Sequence, residues 1–402
     1  MSENAAAKTS SKPDERVVFY AGVGPDLVQY DVDVAGAALI KRGSVRVPEN
    51  VQYAWQHASK QYFYVTSSSR GPGATPGAAG THHVTAFRVD PASGALQPHG
   101  APIPLRQRPI NNTTDMPSEY LLLAYSEPSG LSVHRVNRDG AVGDEVKQPA
   151  PLDAGIYAHQ IRVAPSNAVA ILVTRGNDAK TGKPEDPGAL KVFKYRDGLL
   201  SGVASVAPGG GYGFGPRHLD FHPTQPWVYV SLERQHKIHV FTLNGETLSS
   251  EPLFVVDTLA EPNNVRPRQL AGTIHVHPNG RFAYGCERAT TDVHGLSVGE
   301  YHGGENTIVT YAIDQRTGAP TPIQHVNTRG MHPRTFAIDP SGRLMIVGNK
   351  SPVLVKEGTT TRTVPASLDL FRIGGDGKLE YVRKYDIDVG NASMFWSGLV
   401  RL

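Results

Sequence analysis

The chain has 402 residues, of which 39% are hydrophobic, and a formal net charge of +3. It therefore has material for a large core and no charge excess that calls for nucleic acid or an anionic membrane. Its single cysteine, Cys286, excludes an intrachain disulfide framework, a cysteine-based structural zinc site and a C-x-x-C-H haem site. The 42 glycines and 31 prolines exceed the usual share and indicate many turns.

The chain begins with a polar segment, residues 1–16, that has no apolar core of the kind a signal peptide needs. We expect this segment to be a disordered tail and residues 17–402 to form a single domain. No stretch approaches the roughly 18 apolar residues of a membrane span. These observations predict a cytoplasmic protein.

From residue 17 onward the chain repeats a short apolar strand, a turn that usually contains proline, and a second apolar strand. Successive copies lie about 56 residues apart, and each continues into a further strand with a glycine-containing turn such as RDG or RTG, a hairpin signal. The turn positions that anchor the copies are Ala58, Pro117, Pro165, Pro223, Pro278 and Pro340.

Four short strands per copy and about seven copies predict an all-β fold. It is a seven-bladed β-propeller of four-stranded antiparallel blades. The N-terminal strands in VVFYAGVGPDLVQYDVDV and the C-terminal SMFWSGLVRL would share one blade and so close the ring. A pair of β-sandwiches is the alternative, but the strands of a β-sandwich need not repeat a common sequence pattern.

Two sets of positions in the repeat are polar. The strand-start positions, six residues before each anchor, are Gln52, Asn111, His159, Arg217, Gly272 and Arg334. The strand-end positions, ten residues after each anchor, are Ser68, Glu127, Arg175, Glu233, Arg288 and Lys350. In adjacent antiparallel strands the start of one lies beside the end of the next, so both sets should surround one mouth of the central channel. Three long insertions, residues 69–83, 176–188 and 289–305, follow strand-end positions and should wall the same mouth.

The segments GPRHLDFHPTQPWVYVSLE and IHVHPNGRFAYGCER resemble the seven-bladed β-propeller lactonase family. That family includes propeller-type 6-phosphogluconolactonase and the fungal 3-carboxy-cis,cis-muconate lactonizing enzyme. Its G-P-R-H strand, followed sixteen residues later by Glu, is matched by Arg217 and Glu233. Its inner-strand histidine and a later arginine are matched by His159 and Arg288. The resemblance implies a lactonase in which these four residues are catalytic.

Opening a lactone needs a water nucleophile, a base and positive charge at the developing oxyanion. Glu233 or His159 can serve as the base and the other as the acid, and we prefer Glu233 as the base. Arg217 and Arg288 supply forked donors for an oxyanion, carboxylate or phosphate. An anionic sugar-acid or carboxylated lactone is the expected substrate, and the remaining candidates to bind it are Arg334, Lys350, Arg175 and His218.

Other functions stay open at this point. The same groups, catalysing the reaction in the reverse direction, would close a lactone, as in a lactonizing cycloisomerase of aromatic-acid catabolism. A non-catalytic propeller could instead bind a ligand or protein at its mouth, and each polar residue alone could be a salt-bridged strand end. We expect no metal, cofactor, nucleic-acid or membrane partner, and a monomer or weak homo-oligomer.

Three further motifs are interpreted as structural. APGGGYGFGP leads into Pro216 and a strand, whereas a nucleotide-binding loop leads into a helix. His275 and His277 have the spacing of metal ligands on one strand face, but His277 shares its turn position with His222, which favours a structural role. Cys286 lies among strand residues and should be buried and inert.

Overall fold

The computed structural model describes residues 15–71, 79–289 and 299–402. In these ranges the chain forms seven sheets of four or five antiparallel strands and one smaller three-stranded sheet, which confirms the predicted propeller. The described residues contain no α-helix, and a 3₁₀ turn at Pro208–Gly211 leads into a strand. No helix in these ranges is long and apolar enough to cross a membrane.

The strands follow the blades in chain order. Blade 7 begins the chain with β1 (Val17–Val23), β2 (Asp26–Asp33) and β3 (Ala38–Arg46). Blade 1 consists of β4 (Asn50–Gln56), β5 (Tyr62–Ser68), β6 (His82–Val89), β7 (Leu96–Pro98) and β8 (Ile103–Pro104). Blade 2 consists of β9 (Pro109–Thr114), β10 (Tyr120–Ser126), β11 (Ser129–Val136) and β12 (Val142–Glu145). Blade 3 consists of β13 (Ala158–Val163), β14 (Val169–Thr174), β15 (Ala189–Arg196) and β16 (Leu199–Val206).

The second half of the chain continues in the same way. Blade 4 consists of β17 (Pro216–Phe221), β18 (Trp227–Leu232), β19 (Lys237–Asn244), β20 (Thr247–Leu248) and β21 (Phe254–Asp257). Blade 5 and the insertion that interrupts it contain β22 (Gln269–Val276), β23 (Phe282–Ala289), β24 (Gly299–Glu300), β25 (Thr307–Ile313) and β26 (Pro320–Asn327). Blade 6 and its insertion contain β27 (Pro333–Ile338), β28 (Leu344–Asn349), β29 (Val353–Glu357), β30 (Thr360–Val364), β31 (Ala366–Ile373) and β32 (Leu379–Ile387). The chain ends in β33 (Met394–Arg401).

The ring closes as the sequence predicted, because the sheet order of blade 7 is β3-β2-β1-β33. Strand β33 is the inner strand of that blade and lies between β27 and β4. Gln56 ties the closure to blade 1, since its amide nitrogen donates to the Arg401 carbonyl at 2.7 Å and its oxygen accepts from the Arg401 amide at 2.9 Å. Of the predicted tail, only Glu15 and Arg16 fall within the described residues, and the Arg16 carbonyl accepts from the amide of Leu402.

Burial explains why the second strand of each unit is the most apolar. Strands β10, β14, β18 and β28 are buried along their whole length. Each packs against a neighbouring blade on both faces, so nearly every position is apolar instead of alternating. The outermost strands β3 and β16 are largely exposed and carry polar residues.

Tyrosine hydroxyl groups fasten successive blades together. In four places a tyrosine of one blade donates to the carbonyl of a turn glycine in the next blade, at 2.8–2.9 Å. The turn needs glycine at Gly318, where φ is +82° and a Cβ would lie 2.5 Å from the Trp227 ring. The four pairs are Tyr20 with Gly94, Tyr64 with Gly140, Tyr229 with Gly318 and Tyr284 with Gly377.

A β-bulge interrupts each of the seven inner strands near the same end, all within the described residues. In blade 3, Ala158 pairs with Thr174 and Gln160 with Val173, so His159 has no partner across the ladder. A bulge re-aims side chains that strict alternation would fix. The extra residues are Gln52, Ile110, His159, Arg217, one of Gly272 and Thr273, Arg334, and Phe395.

Two insertions form a small sheet that the repeat pattern does not predict. Gly299 and Glu300 pair in parallel with Val353 and Leu354, and β29 pairs with β30 in a hairpin. Val353, Val355 and Val364 are buried there, with Tyr301 and Met331 packed against them. Residues 72–78 and 290–298 of the predicted mouth insertions lie outside the described residues.

Replacing Trp396 by alanine tests the closure. Trp396 is buried in β33, 5.9 Å from the ring of Phe63 in blade 1, so the variant should lose about 3–5 kcal/mol of unfolding free energy in urea. Ile40→Ala, on an outer strand of the same blade and 52% exposed, should change that free energy by less than about 0.5 kcal/mol. Equal, small effects of the two substitutions, or an unchanged melting temperature after removal of residues 393–402, would contradict this closure.

Candidate active site

The repeat and its bulges bring the predicted mouth residues together in blades 3, 4 and 5. His159 and Arg217 are the bulged residues of β13 and β17. Glu233 follows the end of β18, where its amide donates to Gly215 O and its carbonyl accepts from Ala271 N, each at 2.9 Å. These backbone bonds fix the turn that carries the Glu233 carboxylate.

Three guanidinium groups converge on the carboxylate of Glu233. Its Oε2 accepts from Nη1 of Arg175 at 2.6 Å, and its Oε1 accepts from Nε of Arg217 at 3.1 Å. The same Oε1 also accepts from Nη2 of Arg288. Both carboxylate oxygens are therefore occupied. Glu233, Arg217 and Arg288 are each at most 4% exposed, so this cluster is a buried one.

The charges of this cluster explain the protonation state of Glu233. Burial opposes ionisation, but the three guanidinium groups, Arg175 foremost, outweigh it and hold the pKa of Glu233 well below its usual range. Burial lowers the pKa of Arg217 to about 10, which leaves it charged at neutral pH. Removing one member of a buried ion pair costs about 3–5 kcal/mol, so the four groups depend on one another.

Two histidines lie beside the arginines. The rings of His159 and His218 are 5.2 Å apart, and Nη1 of Arg217 lies 3.5 Å from Nε2 of His218. Burial, followed by the charge of Arg217, holds the pKa of both imidazoles well below 6.5, so both are neutral at neutral pH. Nδ1 of His159 is buried and has no hydrogen-bond partner among the described residues.

A second group of cations has no carboxylate partner among the described residues. Arg334 lies 3.6 Å above the ring of Phe395 and donates from Nε to the Phe395 carbonyl at 2.8 Å. Arg108 approaches the same ring at 5.8 Å and donates from Nη2 to Gln52 at 2.8 Å. Burial, followed by the charge of Arg334, lowers the pKa of Lys350 to about 7.

Sequence reasoning missed four residues of the mouth. Arg108 precedes the repeated sequence pattern, and Phe395 is the strand-start residue of blade 7, where no anchor turn follows the strand. His332 contacts Arg288 at 3.3 Å, and the Tyr157 ring lies 4.5 Å from the Arg175 guanidinium carbon. His332 and Tyr157 have φ of +58° and +56°, and no sequence pattern signals that conformation.

Other strand-start and strand-end residues support the mouth without joining the cluster around Glu233. Gln52 accepts from Arg108, and Asn111 accepts from the amide of Ile161 at 3.1 Å. Ser68 contacts Nδ1 of His82 at 2.8 Å. Glu127 lies 3.9 Å from Arg70.

The insertion 176–188 is held against the mouth by Arg234, the residue after Glu233. Arg234 pairs with Asp178 at 2.8 Å and with Glu185 at 2.7 Å. The Asp178 carboxylate also lies 4.0 Å from Arg175. This insertion therefore reaches the Glu233 cluster, where the sequence analysis placed it.

His277 and Cys286, which the sequence analysis interpreted as structural, both bond to backbone groups. His277 contacts the Gly342 carbonyl with Nε2 at 2.9 Å and accepts from Asn279 N at its Nδ1, which ties one blade to the next. Cys286 is buried and its sulfur accepts from the Thr273 amide. No group of three or more His, Cys, Asp or Glu side chains in the described ranges could hold a metal ion.

Several known proteins are similar to this chain over most of their length. The 6-phosphogluconolactonase of Bacillus subtilis is 25% identical over 341 residues, which cover 83% of this chain and 86% of the relative. That of Pectobacterium carotovorum is 27% identical, over 84% and 89% of the two chains. A periplasmic gluconolactonase of Pseudomonas aeruginosa superposes with a TM-score of 0.68 at 20% identity, covering 96% of this chain and 99% of its own.

Residues 17–356 match the family described as "Lactonase, 7-bladed beta-propeller", which is most of the chain. This match confirms the resemblance that the motifs around Arg217 and Arg288 indicated. The relatives named above carry the same kind of activity in their names, which supports an enzyme that opens lactones. The chain belongs to the seven-bladed β-propeller lactonase family.

Proposed function

We propose that this protein hydrolyses an anionic lactone at the mouth of its channel, without a metal ion. The observation that carries the proposal is the charge balance of the mouth. Glu233 neutralises part of the charge of three arginines, whereas no described carboxylate pairs with Arg334 or Lys350. An anionic substrate would supply the missing negative charge.

Arg217 and Arg288 are proposed to bind the carbonyl oxygen as it becomes an oxyanion. Both are fixed by Glu233 before any substrate arrives, so little reorganisation accompanies the reaction. Arg175 completes the cluster, and Arg334, Lys350 and His218 are proposed to contact the anionic part of the substrate.

Between the two candidate bases, the geometry favours His159 over Glu233, in contrast to our sequence-based preference. Both oxygens of Glu233 already accept from guanidinium groups, which compete with a water molecule for them. His159 is neutral and carries a buried Nδ1 without a hydrogen-bond partner among the described residues. We therefore propose that His159 takes the proton of the attacking water.

The names of the relatives support a phosphorylated sugar lactone as the first substrate to examine. The monomeric or weakly oligomeric state and the cytoplasmic location stay predictions from the sequence.

A lactone panel tests the activity. We expect proton release from 6-phosphogluconolactone at a kcat/KM at least about ten-fold above that for uncharged gluconolactone, since one charge-assisted contact contributes at least about 1.4 kcal/mol. Treatment with EDTA should leave the rate unchanged, and a loss of activity would contradict the metal-free proposal. Turnover only in the direction of ring closure, on a carboxylated muconate, would indicate a cycloisomerase. No turnover by the folded protein would favour a binding scaffold.

The choice of base is tested by comparing His159→Asn with Glu233→Gln across pH. His159→Asn should lower kcat by about 10²–10⁴-fold and leave KM nearly unchanged, the range typical for loss of a general base. Glu233→Gln should lower the melting temperature, because three guanidinium groups lose their carboxylate. Near-native kcat in the His159 variant, together with an inactive but stable Glu233 variant, would return the role of base to Glu233.

Lys350 should make anion binding depend on pH. Sulfate, whose charge is constant from pH 6 to 9, should bind about ten-fold more weakly above pH 7 than below it, because Lys350 loses its proton there. Lys350→Arg should bind sulfate equally across this range, because arginine stays charged. Calorimetric titration measures both, and a pH step that persists in the Lys350 variant would show that another group is responsible.

A further inference from the structure

Arg288 is proposed to bind the oxyanion, so the orientation of its guanidinium group matters for the reaction. Glu233 accepts from Nη2 of that group, and Nε of Arg288 has no hydrogen-bond partner among the described residues. A single contact does not fix the plane of the group. The second contact is with His332, whose Nε2 lies 3.3 Å from Nη1 of Arg288. Glu233 and His332 together therefore fix that plane.

His332 is the acceptor in this contact. Arginine has only donors, so Nε2 of His332 accepts and the proton of the neutral imidazole is on Nδ1. Burial, followed by the charge of Arg288, holds the pKa of His332 well below 6.5, which keeps the ring neutral at neutral pH. The backbone of His332 is left-handed, with φ of +58°. Because such a conformation persists only where the surroundings hold it, the groups that bind this backbone decide where the ring lies.

Asn306 binds that backbone and the end of strand β23 at the same time. Its Oδ1 accepts from the amide of His332 at 2.7 Å and from the amide of Ala289, the residue after Arg288, at 3.2 Å. The backbone ladder between β23 and β25 stops one residue short of Arg288, so the side chain of Asn306 supplies an acceptor that the ladder does not. One oxygen atom thus joins the backbone of Arg288 to the backbone of its histidine partner.

Asn306 is itself held in place on several sides. Its carbonyl accepts from the amide of Thr328 at 2.9 Å and from the Thr328 hydroxyl at 3.2 Å. The preceding residue, Glu305, donates from its amide to Oε1 of Gln269 at 2.7 Å. Since two backbone amides need an acceptor, the oxygen of the Asn306 side chain faces them and its nitrogen faces the sulfur of Met331 at 3.2 Å. Asn306 is 3% exposed, so bulk water has little access to these bonds.

We propose that Asn306 is a positioning residue of the lactone-opening site, which holds the Arg288 guanidinium in the orientation that binds the oxyanion. It acts through the backbones of Ala289 and His332, and this role rests on the proposed function. Asn306 supplies neither a proton nor a charge to the reaction. Its effect falls on kcat, because the contact of Arg288 with the carbonyl oxygen strengthens as the oxyanion forms.

Asn306→Ala tests the role directly, because both backbone amides lose their acceptor. We expect kcat to fall about 10–10²-fold, since a misplacement of about 1 Å in a catalytic group can cost about 10²-fold. KM should change less than about three-fold, because the lost interaction is made in the transition state. Asn306→Asp keeps an oxygen for both amides and should restore most of kcat. Near-native kcat in a folded Asn306→Ala protein, or an aspartate variant as slow as the alanine variant, would overturn the proposal.

Asp339→Ala is the matched structural control. Oδ1 of Asp339 also accepts from two backbone amides, those of Arg343 at 2.7 Å and Leu344 at 2.6 Å, but it does so after the far end of β27, away from the mouth. This variant should lower the melting temperature, as Asn306→Ala does, and leave kcat unchanged. An equal loss of kcat in the two variants would assign the effect to general destabilisation and contradict the positioning role.

The double variant with Arg288→Ala separates an effect through Arg288 from any other effect of Asn306. In Arg288→Ala, Glu233 keeps Arg175 and Arg217 as partners. Residues that act as a unit are not additive, so adding Asn306→Ala to this variant should lower kcat less than about two-fold further. If Asn306→Ala costs its full factor in both backgrounds, the role through Arg288 is wrong.

Amide hydrogen exchange and nitrogen NMR of the unmodified protein test the contacts without activity or a variant. The amides of Ala289 and His332 should exchange much more slowly than in an unfolded chain, and neutral His332 should carry its proton on Nδ1. Fast exchange of the His332 amide, or a neutral ring protonated on Nε2, would refute the proposal. If these contacts are found and the protein opens no lactone, the proposed function fails while the orientation of Arg288 by Asn306 stands.

Discussion

The carboxylate of Glu233 contacts guanidinium groups from three successive blades, and the arrangement of the mouth follows from this contact. Arg175 ends a strand of blade 3, Arg217 begins the inner strand of blade 4, and Arg288 ends a strand of blade 5. Without a shared anion these cations would repel one another in a buried space. The cost of burying Glu233 is offset by three partners at once, which also fixes the three guanidinium groups in place.

The same field determines what the neighbouring imidazoles can do. His159 and His218 stay neutral because burial, followed by the charge of Arg217, lowers the pKa of both imidazoles, whereas His275 has the carboxylate of Asp220 beside it. Chemically similar side chains on adjacent inner strands therefore meet opposite charges.

The sequence repeat predicts most of the fold and many of the residues at the mouth of the channel. Its fixed spacing selects the bulged residues His159, Arg217 and Arg334, because the inner strands of blades 3, 4 and 6 bulge at the same point of the repeat. Blade 2 departs from this register. There the extra residue is Ile110, and the Asn111 that the alignment selected bonds to the backbone of Ile161.

The features of the site that the sequence does not predict depend on contacts between distant segments of the chain. The preference for Glu233 as base assumed two neighbouring arginines, and the third, Arg175, occupies the remaining oxygen. The parallel pairing of Gly299 with Val353 joins two insertions of different blades, and no local pattern signals it. His332 and Tyr157 reach the mouth through left-handed backbone, which the repeat does not encode.

The position of β33 has a consequence for the way the protein is made. This strand is synthesised after every other described strand, yet it lies at the centre of the molecule between β27 and β4. A nascent chain on the ribosome therefore holds six blades and three outer strands with an unpaired inner edge at β1. Such an edge can pair with another chain, so the interval before the last strand is released is the stage at which this protein is most open to aggregation and to chaperone binding.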